Sequence, residues 1–313
     1  MTAVGIVGGG AIGVGFAIVF ARAGHPVRLQ DPDPGRRAAV PGEIADRLAG
    51  LAEFGLIDES AAEIAARVVV VDTLEEAAGG AGLVQECAPE QTDVKAALFA
   101  RLDRVAPAAA ILATASSAIP VSRFAAGLSG RGRCLVAHPG NPPWVIPVIE
   151  VVPAAFTDPA VADRAASFYA DCGMSPVRLN REVEGFVFNR LQGALLREAY
   201  CLVRDGVADV ADIDRLVRDG LGMRWSVVGP FEAVDLNTRG GIAAHAERMG
   251  PAYARMGAER GQDDPWTPEL VARVAGQRRV DLPPDGREAR IRWRDRELLA
   301  LSAHRRGRAT GSR

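Results

Sequence analysis

The sequence predicts an α/β protein in which a doubly wound, mostly parallel sheet is followed by an all-α domain. Short β-branched runs alternate with longer helical patterns through about the first 180 residues, and strand-like runs cease after about Glu184. A glycine-rich turn also joins the first strand to the first helix. This alternation is typical of βαβ units around a buried parallel sheet. We therefore expect a sheet domain at 1–183, a helical domain at 184–303 and a flexible tail at 304–313.

The strands are expected where short apolar runs are bounded by glycine, proline or polar residues. Eight segments fit: Ala3–Val7, Pro26–Gln30, Arg67–Val71, Gly82–Cys87, Ala110–Thr114, Cys134–His138, Val148–Val152 and Pro176–Leu179. Apolar spacings of three and four predict helices after Gly13 and from Glu90 to Arg104. In the second domain they predict helices at Gly185–Val203, Val210–Gly220, Gly241–Met256, Pro268–Gln277 and Arg287–Leu301. The segment from His304 contains mainly Arg, Gly and Ser, and we expect it to fray.

The composition excludes several classes of protein. Apolar residues make up 48% of the 313, which excludes a disordered chain, and a net charge of -2 gives no reason to expect nucleic acid as a partner. Four well-separated cysteines favour reduced thiols and argue against a zinc cage. No apolar run is long enough for a membrane span or has the basic start of a signal peptide. We expect a cytoplasmic protein with no metal and no membrane partner.

A glycine-rich segment joins the first strand to the first helix with the pattern Gly8-x-Gly10-x-x-Gly13. Glycine serves three purposes there: a tight turn at Gly8, close approach of a pyrophosphate at Gly10, and helix–strand packing at Gly13. Ala11 and Ile12 open the helix, whose free N–H groups and positive dipole attract phosphate. Directly after a strand and before a helix, this pattern predicts a Rossmann-type domain that binds a dinucleotide.

The residue type at the end of the second strand indicates which dinucleotide is bound. Asp31 stands about twenty residues beyond the glycine turn. A carboxylate there accepts hydrogen bonds from the ribose 2′-hydroxyl and repels a 2′-phosphate, so NAD is the expected cofactor. Arg36 and Arg37 lie nearby and could meet a phosphate instead, which leaves NADP open.

Oxidation of an alcohol by a nicotinamide cofactor needs a proton acceptor, and histidine is the residue most often used. His138 ends a predicted strand, at the edge where open α/β sheets bind ligands. Glu150 is the only charge in the next strand, and a buried carboxylate needs a partner. We expect the two to pair, with the carboxylate orienting the imidazole. The other histidines stand in a turn, on a surface helix and in the tail: His25, His245 and His304.

Several motifs, in this order, resemble the L-3-hydroxyacyl-CoA dehydrogenase superfamily. They are Ser116-Ser117, His138-Pro-Gly-Asn-Pro-Pro-Trp144 with Glu150, and Glu184-Gly-Phe-Val-Phe-Asn-Arg-Leu191. Three later motifs are most similar to its lambda-crystallin branch, which includes L-gulonate 3-dehydrogenase: Gly220-Leu-Gly-Met-Arg-Trp225, Gly229-Pro-Phe-Glu232 and Trp293-Arg-Asp-Arg-Glu297. The resemblance covers about residues 3 to 303.

This resemblance implies roles for individual residues. It makes His138 the general base and Glu150 its partner, and it implies that Ser116 and Asn189 hydrogen-bond the substrate oxygen. Asn141 would lie near the nicotinamide. The resemblance further implies that the all-α domain is similar to the C-terminal domain of 6-phosphogluconate dehydrogenase and that it pairs two subunits into a homodimer.

The same resemblance implies that Glu90 and Lys95 bind NAD. Of the 37 lysine and arginine residues in the chain, Lys95 is the only lysine. An ammonium group is a compact point charge on a flexible stem, which a planar guanidinium does not imitate. A single lysine kept in such an arginine-rich chain therefore fits a functional role.

The substrate class stays open between a free 3-hydroxy acid and a CoA thioester. By resemblance, acyl-CoA members carry lysines after the second strand, whereas residues 36–57 offer only arginines: Arg36, Arg37 and Arg47. A free acid needs a cation for its carboxylate, and Arg224 lies in a branch-specific motif. We expect NAD-dependent oxidation of the 3-hydroxyl of L-gulonate or a similar small L-3-hydroxy acid, with 3-hydroxybutyryl-CoA as the alternative.

Two further alternatives share the dinucleotide site. A non-catalytic NAD-binding sensor or crystallin-like protein would carry the glycine turn, but it would not need the four catalytic candidates together. A dehydrogenase of the 6-phosphogluconate type depends on a lysine shortly before the helical domain, and Lys95 lies too early for that role. The sequence therefore favours a 3-hydroxy acid dehydrogenase.

Overall fold

The computed structural model describes residues 1–260, 267–281 and 283–311. Its sheet has eight strands: β1 Val4–Val7, β2 Val27–Gln30, β3 Val68–Val71, β4 Leu83–Glu86, β5 Ile111–Thr114, β6 Cys134–Pro139, β7 Val148–Pro153 and β8 Ser175–Arg178. All eight predicted strands are confirmed, with ends that differ by no more than one residue. Runs of β-branched and apolar residues, buried on both sides, suit such central strands.

The strands lie in the order β3-β2-β1-β4-β5-β6-β7-β8. Neighbouring strands are parallel except β6 and β7, which are antiparallel. The chain order reverses between β1 and β4, and a crevice opens at such a switch point beyond the carboxyl ends of the strands. The topology is the predicted doubly wound sheet with two antiparallel-running strands added at one edge.

Helices cover both faces of this sheet. In the first part of the chain they are α1 Ala11–Arg22, α2 Pro34–Glu53, α3 Ala61–Ala65, α4 Leu74–Ala78, α5 Thr92–Val105, α6 Ser122–Ala125 and α7 Pro159–Asp171. Alternate strand residues enter two separate clusters: Ile6 packs with α1, α2 and α7, whereas Val7 packs with α4, α5 and α6. This period of two follows from the pleat of a strand.

Beyond β8 the described residues form helices and their connections, as predicted, although the helix expected from Gly185 begins at Phe188. The helices are α8 Phe188–Arg204, α9 Val210–Arg215, α10 Met223–Trp225, α11 Pro230–Asn237, α12 Gly241–Ala258, α13 Pro268–Asp281 and α14 Arg287–Gly311. A π-helical turn at Leu216–Gly222 continues α9 to the end of the helix expected there. The helix α11 was not predicted from the sequence, although Pro230 at its first position is a helix-start signal.

The chain forms two compact units, Met1–Arg190 with Ile291–Arg313, and Leu191–Arg290. The helical domain expected at 184–303 thus includes residues of both units, and its boundaries stay a prediction. The first unit contains the complete sheet. The second unit consists of helices and buries few large apolar side chains of its own.

The flexible tail expected from His304 is instead part of α14 as far as Gly311, and residues 312–313 lie outside the described residues. Two contacts within the first unit account for this difference. Leu299 is buried in the cluster that contains Ile6. Arg306 forms an ion pair with Asp58 at 2.6 Å. A local pattern of Arg, Gly and Ser could not reveal either of these tertiary contacts.

Candidate active site

Steric limits at two of the three glycines in the Gly8-x-Gly10-x-x-Gly13 pattern shape the turn between β1 and α1. Gly8 has a φ of +107°, and a Cβ atom there would lie 2.6 Å from the carbonyl oxygen of Cys87. A Cβ atom at Gly13 would lie 1.9 Å from the Gly8 carbonyl oxygen, so only glycine allows this close packing. At Gly10, by contrast, a Cβ atom would meet nothing within 4 Å. The open side of Gly10 leaves room for a ligand to approach the backbone.

The turn borders a cavity of about 930 Å³ at the carboxyl ends of β1, β2 and β4, lined in part by Gly8, Gly10 and Asp31. Ala11 and Ile12 begin α1, and the first N–H groups of a helix have no partner inside it. Such a helix end attracts anions. The glycine turn, the free amides and the cavity fit a dinucleotide, with its pyrophosphate at the start of α1.

Asp31 follows β2 and is held in place by the backbone. Its Oδ2 accepts a hydrogen bond from the Gly9 N–H at 2.7 Å, and its Oδ1 accepts one from the Asp33 N–H at 2.9 Å. The carboxylate is thus fixed beside the glycine turn at the wall of the cavity. A ribose hydroxyl meets an acidic residue at this point of a Rossmann-type domain, so the position fits NAD.

The arginines of α2 are already paired with carboxylates. Arg36 forms an ion pair with Glu43 at 2.7 Å, and Arg47 contacts the same carboxylate at 3.1 Å. Arg37 forms an ion pair with Asp72 at 3.0 Å. In this arrangement their charges are at least partly neutralised, which makes them weaker partners for an added phosphate.

His138 and Glu150 meet as the sequence predicts. They are directly opposite each other in the register of the antiparallel strands β6 and β7, and His138 Nδ1 lies 2.8 Å from Glu150 Oε2. Both side chains are buried. An ionised carboxylate only accepts hydrogen bonds, so in the neutral imidazole Nδ1 carries the hydrogen and Nε2 keeps its lone pair. This is the arrangement that a histidine general base requires.

The second oxygen of Glu150 is held by the chain at the start of α8. Glu150 Oε1 accepts hydrogen bonds from the N–H groups of Val187 at 2.8 Å and Phe188 at 3.0 Å. Burial alone would raise the pKa of Glu150, but the hydrogen bonds from His138 and from these two amides outweigh it and lower the pKa below its ordinary value. The carboxylate therefore stays ionised beside the imidazole at neutral pH.

Phe186 is a site residue that the sequence analysis missed. It is fully buried and has a φ of 49°, a left-handed conformation that is unfavourable for a bulky residue, and it follows Gly185 with a φ of 73°. Its ring centroid lies 5.8 Å from that of His138, and the Phe188 ring meets the imidazole edge-on at 6.1 Å. The strained turn thus directs two amides at Glu150 and places an aromatic ring against the His138 imidazole. The Gly-Phe pair before a helix was the available sequence signal.

Ser116 lies in the loop after β5, and Asn189 reaches the same loop from α8. Ser116 is fully buried, and its Oγ lies 2.7 Å from Glu90 Oε1. The same carboxylate oxygen accepts hydrogen bonds from the N–H groups of Ser117 at 2.9 Å and Ala118 at 3.0 Å. Asn189 donates through Nδ2 to the Ser117 carbonyl oxygen at 2.7 Å. The structure therefore brings Ser116, Glu90 and Asn189 together around one loop.

Lys95 is almost completely buried, with 1% of its surface exposed. Its Nζ lies 3.0 Å from both carboxylate oxygens of Glu86 and 3.5 Å from Glu90 Oε2. Burial would raise the pKa of Glu90, but the Ser116 hydroxyl, the amide of Ala118 and the nearby Lys95 ammonium lower it below its ordinary value. Glu86, at the end of β4, was not singled out from the sequence.

The remaining candidates lie elsewhere. Asn141 is exposed in the loop between β6 and β7. Arg224 is in α10, in the second compact unit. In the described ranges, no three His, Cys, Asp or Glu side chains are grouped so that they could hold a metal ion. Within those same ranges, no helix combines the length and the apolar character that a membrane crossing requires.

Comparison with known proteins identifies the family. The family profile described as 3-hydroxyacyl-CoA dehydrogenase, NAD binding domain, matches residues 3–183, and that of the C-terminal domain matches residues 185–279. The chain is 37% identical to a lambda-crystallin homolog of Bos taurus, covering 96% of this chain and 94% of that protein. It is 40% identical to an L-carnitine dehydrogenase of Streptomyces griseus, covering 85% of this chain and 78% of that protein.

A solved structure matches along almost the whole length of the chain. It is that of 5-formyl-3-hydroxy-2-methylpyridine 4-carboxylic acid 5-dehydrogenase, an NAD+-dependent dismutase, with a TM-score of 0.83 and 27% identity. The match covers 96% of this chain and 97% of that one. Together with the profile matches and the geometry of the site, these similarities show that the chain belongs to the 3-hydroxyacyl-CoA dehydrogenase family, in its lambda-crystallin branch, and is an NAD-dependent dehydrogenase.

Proposed function

We propose that the protein oxidises the 3-hydroxyl group of a small, free L-3-hydroxy acid to the 3-keto acid. The observation that carries the proposal is the buried His138–Glu150 pair, with its 2.8 Å contact at the carboxyl edge of the sheet. A histidine held in this tautomer presents Nε2 to a hydroxyl group. An L-gulonate-like acid is the substrate class that we favour.

In this reaction His138 Nε2 takes the proton of the substrate hydroxyl as the carbonyl forms. Glu150 stabilises the resulting imidazolium, because its carboxylate stays ionised at 2.8 Å from Nδ1. When bound, NAD supplies the acceptor for the hydride that leaves C3. Phe186 and Phe188 pack against the imidazole and limit the access of water to it.

We assign the positioning of the substrate to polar side chains near this pair. Ser116 and Asn189 would hydrogen-bond the reacting oxygen, and their shared loop supports this assignment. Asn141, Glu90 and Lys95 would serve the cofactor side. Arg224 would bind the substrate carboxylate as a bidentate partner. If Arg224→Ala leaves the KM for every free 3-hydroxy acid unchanged, the last assignment is wrong.

Two observations support a free acid over a CoA thioester. The three arginines of α2 that could meet CoA phosphates are paired with Glu43 and Asp72. One relative, 40% identical, is named for L-carnitine, which is itself a free 3-hydroxy acid. 3-Hydroxybutyryl-CoA is the alternative substrate, because the family profile carries the name of the thioester.

We also propose a homodimer formed through the helical region. Large apolar side chains are exposed in the second unit: Leu191, Leu216, Met223, Val227, Phe231 and Leu236. An exposed apolar surface of this extent usually marks an interface. Light scattering should give about twice the chain mass of 33.0 kDa, and a species of the chain mass would contradict the dimer. Four free cysteines support a cytoplasmic location.

The deciding experiment measures NADH formation with four substrates side by side: L-gulonate, L-carnitine, L-3-hydroxybutyrate and L-3-hydroxybutyryl-CoA. Wild type is compared with His138→Gln and with the control His25→Gln, whose ring contacts Thr2 at the start of the chain and Phe168. Turnover of a free acid that His138→Gln alone abolishes would support the proposal. Turnover restricted to the thioester would replace it with the alternative.

A further inference from the structure

We propose that a cavity between the end of α1 and the loop joining β6 to β7 binds a small monocarboxylate with an apolar body, through Arg22. The cavity has a volume of about 360 Å³, within the range of about 300–1,000 Å³ that is typical of small-molecule sites. Among the described residues, none lines both this cavity and the one at the glycine turn, and neither His138 nor Glu150 borders it. Its occupancy therefore does not depend on the proposed dehydrogenase reaction.

Much of the cavity wall is apolar. Six large side chains of the first compact unit line it, and each is at most 8% exposed: Val19, Leu51, Leu56, Ile64, Trp144 and Met174. Because these side chains are packed into the unit, the wall keeps its shape without a ligand. A ligand that covers this wall gains free energy roughly in proportion to the apolar area it removes from water. The body of the ligand should therefore be apolar.

Arg22 supplies the cation of the cavity. It is half-buried at the end of α1, and its guanidinium donates to the carbonyl oxygens of Leu56 at 2.9 Å and Trp144 at 3.4 Å. In the part of the chain that the structure describes, no carboxylate forms an ion pair with it. Burial and the nearby positive charge of Arg306 lower the pKa of Arg22 below its ordinary value. A guanidinium has five N–H donors, so donors remain for an anion, and a charge withdrawn from water is stabilised by such a partner.

The carboxylates that line the cavity restrict the charge of the ligand. Asp58 and Glu59 are paired with Arg306 and Arg67, whereas Asp171 is exposed. An amine could pair with Asp171, but an ion pair at an exposed position contributes little. The three negative charges should also repel a second carboxylate on the ligand. A single carboxylate, held by the guanidinium in a bidentate pair, is the charge that fits.

The loop between β6 and β7 forms part of the cavity wall through Pro143 and Trp144. This loop contacts α1 at two points. Pro143 packs closely against Gly15, where a Cβ atom would lie 2.9 Å from Pro143 Cδ, and Trp144 accepts the hydrogen bond from Arg22. A ligand held by Arg22 would therefore contact the connection between the two strands that carry the proposed catalytic pair.

The first test uses 3-methylbutanoate as the probe, because it joins one carboxylate to a branched apolar body. Calorimetric titration of the full chain with NADH bound should give a Kd of about 0.1–1 mM. Three analogues should each bind at least about tenfold more weakly: the neutral 3-methylbutanamide, the cationic 3-methylbutylamine, and methylsuccinate, in which a second carboxylate replaces a methyl group. An analogue that binds as tightly as the acid, or no binding of the acid up to about 20 mM, would overturn the proposal.

The second test removes the cation. Arg22→Gln should raise the Kd for 3-methylbutanoate at least about tenfold. The matched control is Arg164→Gln, because the Arg164 guanidinium likewise donates to a main-chain carbonyl, that of Ala109 at 3.1 Å, but does not line the cavity. This control should keep the Kd within about twofold of wild type. A wild-type Kd in Arg22→Gln would refute the assignment.

A second variant fills the cavity and leaves Arg22 in place. Arg22→Gln also removes the hydrogen bonds to Leu56 and Trp144, so its Tm should fall. Ser302 lines the cavity from α14, and Ser302→Phe should abolish binding of the probe while its Tm stays near that of wild type. Binding that persists in both variants would contradict a site in this cavity.

The last comparison separates this cavity from the proposed substrate site. Arg224→Ala should leave the Kd for 3-methylbutanoate unchanged, because Arg224 does not line the cavity. Loss of binding in Arg224→Ala but not in Arg22→Gln would place the probe at the substrate site and would overturn the proposal. If wild type turned over none of the four substrates but bound the probe through Arg22, the proposed function would fail and the site at Arg22 would stand.

Discussion

His138 and Glu150 face each other across the antiparallel strands β6 and β7, with Nδ1 2.8 Å from Oε2. The strand register sets this contact, since directly opposite residues in an antiparallel pair project from the same face. A shift of one residue in either strand would turn one side chain to the opposite face of the sheet. The contact between the two proposed catalytic residues is therefore built into the pairing of the two strands.

We expect both members of the pair to be needed for turnover. His138→Gln should lower kcat by about 10²- to 10⁴-fold, the range typical of a lost general base. Glu150→Gln keeps the shape but offers Nδ1 no negative charge, so it should also lower kcat substantially. The double variant should lose little more than His138→Gln, because the two residues act as a unit. Fully additive losses, measured by steady-state kinetics, would contradict this prediction.

The lowered pKa of Glu150 predicts a loss of stability in acid. Because the pKa in the folded state lies below that in the unfolded chain, about 4.3, the ionised group stabilises the fold above that value. This contribution disappears as the pH falls through the lower, folded-state pKa. The difference in unfolding free energy between wild type and Glu150→Gln should therefore shrink between pH 7 and about pH 3 in urea titrations. A difference that is independent of pH would contradict the prediction.

An alanine substitution should have different effects at Gly10 and at Gly13: weaker NADH binding at the first and lower stability at the second. Gly10→Ala should fold with a near-normal Tm, because its φ of −69° suits alanine and no atom lies within 4 Å of the new Cβ. It should bind NADH more weakly, since the methyl group occupies the open side of the turn. Gly13→Ala should lose stability, because its Cβ would lie 1.9 Å from the Gly8 carbonyl oxygen. Thermal melts and fluorescence titration with NADH test both.

Because the backbone at Phe186 is left-handed, we expect a glycine variant to be more stable than an alanine variant at this position, the reverse of the usual order in a helix. Removing this buried ring should cost about 3–5 kcal/mol in either variant. Phe186→Gly should nevertheless be more stable than Phe186→Ala by about 1 kcal/mol, because glycine adopts a positive φ without strain. At Phe99, buried within the α5 helix, alanine should be the more stable of the two. The stabilities are measured by denaturant unfolding. If alanine were more stable than glycine at both positions, the backbone at Phe186 would not be strained as inferred.

Local sequence patterns were sufficient to predict the strands of the sheet, the glycine turn with Asp31, and the contact between His138 and Glu150. Each strand is a short apolar run, and the glycine turn and Asp31 are consecutive features of one βαβ unit, so neighbours in sequence carry the information. His138 and Glu150 were also predictable, because each stood out as a polar residue in a buried strand. Their hydrogen bond followed from the physical requirement that a buried charge finds a partner.

Other features depend on contacts between distant segments. Glu86 resembles any polar residue at the end of a strand until Lys95 and Thr114 close around it. The strain at Phe186 and the aim of its neighbouring amides toward Glu150 arise from the path of the chain into α8. Residues 304–311 continue α14, in which Leu299 is buried and Arg306 forms an ion pair with Asp58.

The division between the two kinds of information has a physical basis. Hydrophobic periodicity and glycine sterics act over a few residues, so the sequence was enough to predict the strands, the glycine turn and the contact between His138 and Glu150. Networks of buried charges and strained turns are stabilised by contacts between groups that are distant in sequence and meet only on folding. For that reason the contacts of Glu86 with Lys95 and Thr114, and those of Glu150 with the turn at Phe186, became visible in the folded chain alone.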